Sequence, residues 1–383
     1  LMGMFSAGAF GGAVSGFTAR AIGAGDYNEA SAVMVCAVLI SLVGGVLMWG
    51  LVVTLGPYLY EYASNSSDVV EAAIRYAALV FPVIPAYWLI NMLASVLRGT
   101  GDMIRPAWIA ASLLLSYTLL AFLIIPGQGA SLNDAIEAAA LAMGGSYLFA
   151  LTLAIYFVSQ KTQSVLFRIA AFRTQTLILI LKQGMLAASQ SVMTIIYAMI
   201  TTLIFSQFGT DWLAGFGLAV RLELIMVPVI FGIGASMIAI VGAYVGAGQR
   251  DLAISIAWRG ILVNVVLIGS VGLLLSLFPG TWCGLVGSDA TVIANCSQSL
   301  SIIAPTYAFF AIGLSCYLAS QALGTLGFPV FGALLRLLTV ATGLYWVTNT
   351  TSIDAALYLV AGAAIVYGVT VAVGLKLGPW RVR

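Results

Sequence analysis

Histidine is absent from this 383-residue chain, which removes the usual general base, the usual zinc ligand and the usual pH switch. What remains for chemistry is a small set of polar side chains set in apolar runs, and Glu223 is the best placed of them. It lies eleven residues after Trp212, roughly 16 Å along a helix at 1.5 Å per residue. A helix over 212–243 would be about 48 Å long, well beyond the ~30 Å hydrocarbon slab of a bilayer. Centred, that helix holds Glu223 only several ångströms below the outer edge; a charge inside the bilayer costs about 2.5–3.5 kcal/mol for Asp, Lys or Arg on insertion scales and is a functional candidate by default. Arg221 is close in sequence, but residues two apart on a helix do not face each other. Glu223 therefore reaches a water-filled cavity or another helix. It serves either ion coupling and substrate charge recognition, or a structural ion pair or interfacial carboxylate.

Neutral polar residues form a second set. Gln183, Gln190 and Tyr197 fall seven apart on one helix face; Asn91 shares a helix with Pro82 and Pro85; Tyr307 follows Pro305. They can line a central cavity, or they can be interhelical hydrogen-bond glue. Pro82, Pro85, Pro228 and Pro305 loosen backbone bonding within their helices, which membranes tolerate when neighbours compensate. Arg75 and Arg336 lie near enough to helix ends to snorkel. The four cysteines (Cys36, Cys283, Cys296 and Cys316) show no C-x-x-C spacing. Buried thiols are the ordinary reading, and a disulfide between Cys283 and Cys296 across one loop is the alternative. No metal site and no organic cofactor is expected.

The elements that must position these residues are membrane helices. Hydrophobic residues make up 62% of the chain and charged ones 7%, with a mean hydropathy of +1.10, whereas soluble domains are about 25% charged. The net charge of +2 and the lack of a basic cluster argue against nucleic acid. Apolar runs near 1–19, 29–54, 68–97, 106–125, 133–159, 176–206, 212–243, 252–277, 289–322, 329–347 and 353–376 predict eleven spanning helices. Placing the G-A-G loops in the cytoplasm puts twelve of the 15 Lys and Arg residues on that side. These include Arg20, Arg98, Arg105, Lys161, Arg168, Arg173, Arg250 and Arg383. By the positive-inside rule the C-terminus is then cytoplasmic, in a bacterial inner membrane.

The chain also repeats itself. Gly23-Ala24-Gly25 matches Gly246-Ala247-Gly248, Pro82 matches Pro305, Gly101 matches Gly324 and Pro106 matches Pro329, each at an offset of 223. Residues 176–223 have no first-half counterpart, so the parent is expected to carry twelve helices with the first missing here. Six spans return the chain to its starting side, which makes the halves parallel repeats. The fold class is therefore an all-α polytopic membrane protein, with 11 of an inferred 12 transmembrane helices in two six-helix bundles. The expected division is an N-terminal lobe over 1–160, a cytoplasmic linker over 161–175 and a C-terminal lobe over 176–383.

Four phrases in order carry a resemblance: "RAIGAGDYNEA" from Arg20, "SVLRGTGDMIRP" from Ser95, "VGAYVGAGQRDLA" from Val241 and "SQALGTLGFP" from Ser320. Together they resemble the multidrug and toxic compound extrusion (MATE) family over essentially the whole chain. The resemblance implies a monomeric exporter in the lipid bilayer, coupled to Na⁺ or H⁺, that expels small organic, often cationic, compounds. As helix-end hardware, Gly25 suits a left-handed turn and Asp26 a cap, with Glu29 completing a box. Asp251 serves the equivalent first turn in the second half. Arg20, Arg98 and Asp102 are either anchors of tight turns or a lock on the cytoplasmic gate. Because Arg98 becomes Gln321 and Asp102 becomes Thr325, a charged lock is confined to one half.

The chain departs from the family between Lys182 and Ser206 and between Thr291 and Gln321, where many members carry an acid and this sequence carries none. Coupling then falls to Glu223 or to a residue upstream. The nearest rival is a lipid-linked oligosaccharide flippase of related architecture, which needs a more cationic cavity. An enzyme is disfavoured, because no paired carboxylates or clustered metal ligands lie within the membrane.

Overall fold

The computed structural model describes residues 2–64, 66–125, 132–162, 172–350 and 352–381. Among them every regular element is helical. A π-helical turn, Met4–Phe10, leads into α1 (Gly11–Gly23); then come α2 (Tyr27–Ala63), α3 (Ser67–Val80), α4 (Ile84–Gly99), α5 (Ile104–Ile124) and α6 (Leu132–Thr162). The remainder are α7 (Thr174–Ser206), α8 (Thr210–Gly246), α9 (Arg250–Leu277), α10 (Pro279–Val286), α11 (Ala290–Ile303), α12 (Tyr307–Leu323), α13 (Gly327–Thr350) and α14 (Ile353–Leu377).

Ten helical stretches among the described residues are long and apolar enough to cross a membrane, with α3–α4 and α11–α12 each forming one. They coincide with ten of the eleven expected spans. The first stretch is helical but is not one of the ten, because glycine, serine and threonine dilute its hydropathy. Only 6% of the most apolar window of α5 is buried, and Phe122 and Leu115 are 85% and 65% exposed. An apolar surface of that extent suits lipid rather than water.

The 223-residue repeat recurs in the backbone. The 3₁₀ turn at Phe81–Val83 reappears at Ala304–Thr306, interrupting each half just where Pro82 and Pro305 sit. Gly25 and Gly248 have φ of 71° and 77°, and Gly101 and Gly324 have 83° and 70°, a left-handed conformation that glycine adopts without steric cost. The Asp102 N–H donates to Leu97 O at 3.2 Å, and its equivalent, Thr325, donates to Ser320 O at 3.0 Å. Both bonds satisfy carbonyls that a helix end leaves open.

The compact units do not coincide with the expected lobes. Gly25–Leu181 forms one unit, and Leu1–Ala24 joins Lys182–Arg383 in the other. The reason is small residues on facing helices. A Cβ on Gly23 would stand 2.0 Å from Ala243 O, and one on Gly246 would stand 2.0 Å from Arg20 O, so α1 and α8 approach backbone to backbone. Most of the expected linker, including Arg168, lies outside the described residues, as does Arg383.

In the first of these units α2 packs on α3 and α4, and α6 packs on α3, α4 and α5. Asp26 caps α2 by accepting from Glu29 N–H at 2.9 Å. The expected box is not closed, because the Glu29 carboxylate instead accepts from Arg173 and Thr176, both at 2.7 Å. In the second unit α12 is the central helix, packed against α1, α8, α9, α13 and α14. It holds α9 through Asn264, whose amide donates to Ser315 Oγ at 2.9 Å. Cys283 and Cys296 form a disulfide between α10 and α11, while Cys36 and Cys316 are buried free thiols.

Candidate functional site

The second unit encloses a cavity of about 100 Å³. Helical periodicity builds its walls, because residues three, four and seven apart share a face. From α7 come Gln190, Met193, Thr194 and Tyr197; from α12 come Phe310, Leu314 and Tyr317. Val227 and Phe231 of α8 face Arg336 of α13 and Tyr367 of α14, and Met4 and Gly8 of the π-helical turn complete the lining. Carbon and sulfur therefore dominate the surface, with a few polar atoms set among them.

Arg336 is the charged group of the cavity, and it does not snorkel as expected. It stands nine residues into α13 (336 − 327), about 14 Å from the helix start, and it is 6% exposed. Its guanidinium carbon lies 3.9 Å from the Tyr197 ring centre, 5.3 Å from that of Phe310 and 5.8 Å from that of Tyr367. Cation–π attraction of this kind strengthens when the partners are desolvated. Nη2 donates to Glu223 Oε1 at 3.3 Å, forming an ion pair from α13 to α8. Glu223 thus reaches another helix, one turn before the cavity residue Val227. Arg75, by contrast, is exposed and pairs with Glu137.

The remaining candidates divide by depth. Gln190 donates to the Tyr367 hydroxyl at 2.9 Å inside the cavity, beside Tyr197. Gln183, two turns earlier on the same face, donates to Gln321 O at 2.7 Å and lies below the cavity. Tyr307 is buried within electrostatic range of Glu223 and Tyr197 but is not a lining residue. Asn91 belongs to the other unit, where its amide donates to Tyr87 O at 3.0 Å.

The three gate candidates occupy helix ends. Arg20 donates to Gln321 O at 3.1 Å and to Ala322 O at 2.5 Å, and so caps the C-terminus of α12. Asp102 caps α5 by accepting from the Ile104 and Arg105 N–H groups at 3.1 Å, and it pairs with the Arg105 guanidinium. Arg98 donates to Ser95 Oγ at 2.7 Å. The neutral replacements in the second half also bond to neighbouring elements. Gln321 donates to Gly8 O of the π-helical turn at 3.0 Å, and Thr325 accepts from Trp380 at 2.8 Å.

Sequence reasoning missed Arg336 and Tyr367. For Arg336 the signal was present, since an arginine so far inside an apolar run is a functional candidate. Nothing local marks Tyr367; its role follows from contacts with Gln190, 177 residues away.

Comparison with known proteins bears on the whole chain. The profile of the MatE family matches residues 1–123 and 186–346. The curated "Probable multidrug resistance protein NorM" of Thermotoga maritima is 20% identical over 295 residues. That match takes in 77% of this chain and 64% of the relative, so the chain spans less than two thirds of the relative's length. Crystal structures of MATE in straight and bent conformations align with TM-scores of 0.87 and 0.88 at 20% identity. They cover 99% of this chain and 85% and 84% of their own. A MOP superfamily transporter from Pyrococcus furiosus aligns at 0.83, with 20% identity, over 99% of this chain and 85% of its own; its description reads "reverse polarity of binding pocket suggests different function". At these identities the solved structures establish the fold.

Proposed function

Since the chain belongs to the MatE family of membrane transporters, we propose that it is a secondary antiporter. In this reading it exports organic, cationic or lipophilic compounds in exchange for Na⁺ or H⁺ by alternating access. The observation that carries the proposal is the ion pair of a half-buried Glu223 with Arg336, a buried residue on the wall of an aromatic cavity. While Glu223 is ionised the pair is neutral. A proton or Na⁺ arriving on the carboxylate leaves Arg336 uncompensated, and the wall turns positive. An organic cation and the coupling ion then oppose one another at a single site, which is the thermodynamic requirement for exchange. Met4, Met193 and the aromatic rings supply an adaptable apolar surface.

Two observations support a cytoplasmic C-terminus. Trp380 binds Thr325 and Arg250 donates to Pro379 O at 3.3 Å, so Pro379 and Trp380 lie on the face that carries the G-A-G turn of α8–α9. The disulfide joins α10, which follows the far end of α9, to α11, where an oxidising compartment suits it. The flippase reading is not favoured, because the cavity wall carries a single arginine and a carboxylate already neutralises it.

The test is reconstitution of the protein into proteoliposomes with an imposed Na⁺ or proton gradient. Extrusion of a fluorescent organic cation such as ethidium is followed against time. Gradient-dependent extrusion is expected, and transport indifferent to both gradients would reject antiport.

A further inference from the structure

The outward face of α9 is an apolar stripe interrupted by one charge. Leu262, Val263 and Val266 follow Arg259 by three, four and seven residues, so the four share a face. The three apolar residues are 61%, 54% and 61% exposed, and only 22% of the most apolar window of α9 is buried, which makes this a face for lipid. Arg259 is exposed with them and forms no hydrogen bond or ion pair among the described residues. It stands nine residues into α9 (259 − 250), about 14 Å along the axis. The helix has 28 residues, about 42 Å, against a ~30 Å hydrocarbon slab. Centred, it holds the Arg259 backbone roughly 8 Å inside the slab, where lipid tails offer a guanidinium no partner. Helical side chains lean toward their own N-terminus, so Arg259 reaches back to the level of the lipid phosphates. Packing gathers further cations at that level. Arg250 Nη2 donates to Pro379 O at 3.3 Å, and the Trp258 and Trp380 rings meet edge to face at 5.4 Å. These contacts set the end of α14 and the turn after it against the first turns of α9. Residues 250–260 and 372–381 then hold four cations, Arg250, Arg259, Lys376 and Arg381, against the single acid Asp251.

We infer that this end of α9 is a binding site for an anionic phospholipid. Its phosphodiester sits on the Arg259 guanidinium, whose planar fork takes two phosphate oxygens, and its acyl chains run along Leu262, Val263 and Val266. A lone snorkelling arginine accepts the phosphate of any lipid. The field of Arg250, Lys376 and Arg381 is what selects a headgroup of net negative charge, and Trp258 adds a ring of the kind favoured at a membrane interface. The site belongs to one half only, because the equivalent of Arg259 at the offset of 223 is Cys36, a buried thiol. Since α9 packs on the central helix α12, a lipid held there braces the second unit from outside.

Native mass spectrometry of the delipidated protein in detergent, titrated with phosphatidylglycerol, phosphatidylcholine or inorganic phosphate, tests the site. Phosphatidylglycerol is expected to bind in preference to phosphatidylcholine. Arg259→Gln should weaken phosphatidylglycerol about fivefold, the scale of one basic residue at an anionic lipid surface, and Arg259→Lys should keep part of that affinity. Arg221→Gln removes another exposed arginine of the same unit and should leave lipid affinity unchanged. Because Arg259 faces outward and holds no protein partner, its variants should unfold at the temperature of the unaltered protein when lipid is absent. Equal affinity for the two lipids overturns the site in favour of plain snorkelling. Phosphatidylglycerol binding unaltered by Arg259→Gln, or weakened as much by Arg221→Gln, overturns it as well. Inorganic phosphate that displaces the lipid at equal concentration overturns the lipid as its occupant. None of these readouts involves transport, so their failure leaves the exporter reading where it stands.

Discussion

Glu223 on α8 and Arg336 on α13, 113 residues apart in the chain, meet in an ion pair of 3.3 Å that is largely buried among tyrosine and phenylalanine rings. Removing one partner of such a pair costs about 3–5 kcal/mol, because the other charge stays buried, while replacing both with apolar residues is often neutral. Arg336→Met is therefore expected to destabilise the protein by that amount, and Glu223→Leu/Arg336→Met to recover most of it. Thermal unfolding in detergent measures the cycle. Additive losses would show that the two side chains do not depend on each other.

The same pair predicts a functional split. Glu223→Gln keeps a neutral hydrogen-bonding partner of nearly the same shape for Arg336, so it should cost less stability than Arg336→Met while ion-driven efflux falls to background. The comparison requires equal protein in each set of proteoliposomes. Efflux at the unaltered rate would exclude Glu223 from coupling.

The duplicated turns make a backbone prediction. Gly25, Gly101, Gly248 and Gly324 all have positive φ, and a Cβ added at any of them meets nothing within 4 Å. The cost of alanine there is thus conformational alone, roughly 1–2 kcal/mol at each position. Equal losses at Gly25 and Gly248, and at Gly101 and Gly324, are expected in thermal unfolding. A large difference within either pair would mean that one copy of the turn has taken on another task.

Gly12 is different in kind. A Cβ there would stand 1.6 Å from Gln321 Oε1, so Gly12→Ala must push aside the side chain that holds Gly8 O. A cost of about 1–3 kcal/mol is expected from overpacking, relieved when Gln321→Ala is combined with it. Failure of the second change to relieve the first would place the clash elsewhere.

The disulfide closes a short loop, with 13 residues of sequence separation. Cys283→Ser/Cys296→Ser should lose about 2–4 kcal/mol. Alkylation of the denatured, unreduced protein should find only Cys36 and Cys316 free. Four reactive thiols would show that the bridge does not form.

The sequence by itself determined the helical architecture, ten of the spans and the duplication, because lipid forces each crossing to be a long apolar helix and a copied turn keeps its glycine. It also pointed to Glu223, Gln190 and Tyr197, since polar groups within such runs are few. The tertiary structure alone decided which of them meet. Arg336 reads as a snorkelling residue in sequence, but its side chain meets Tyr197, Glu223 and Tyr367 from three other helices, and Tyr367 carries no local mark at all. Gln183 shares a helix face with Gln190 yet serves the α12 terminus, because depth along a helix is set by its neighbours. Leu1–Ala24 reads as part of the first lobe, and the close glycine contacts of α1 with α8 place it with the second unit. Periodicity gives the face a residue occupies, but only packing across hundreds of residues supplies its partner, and here the partner decides whether a charge is an anchor or a site.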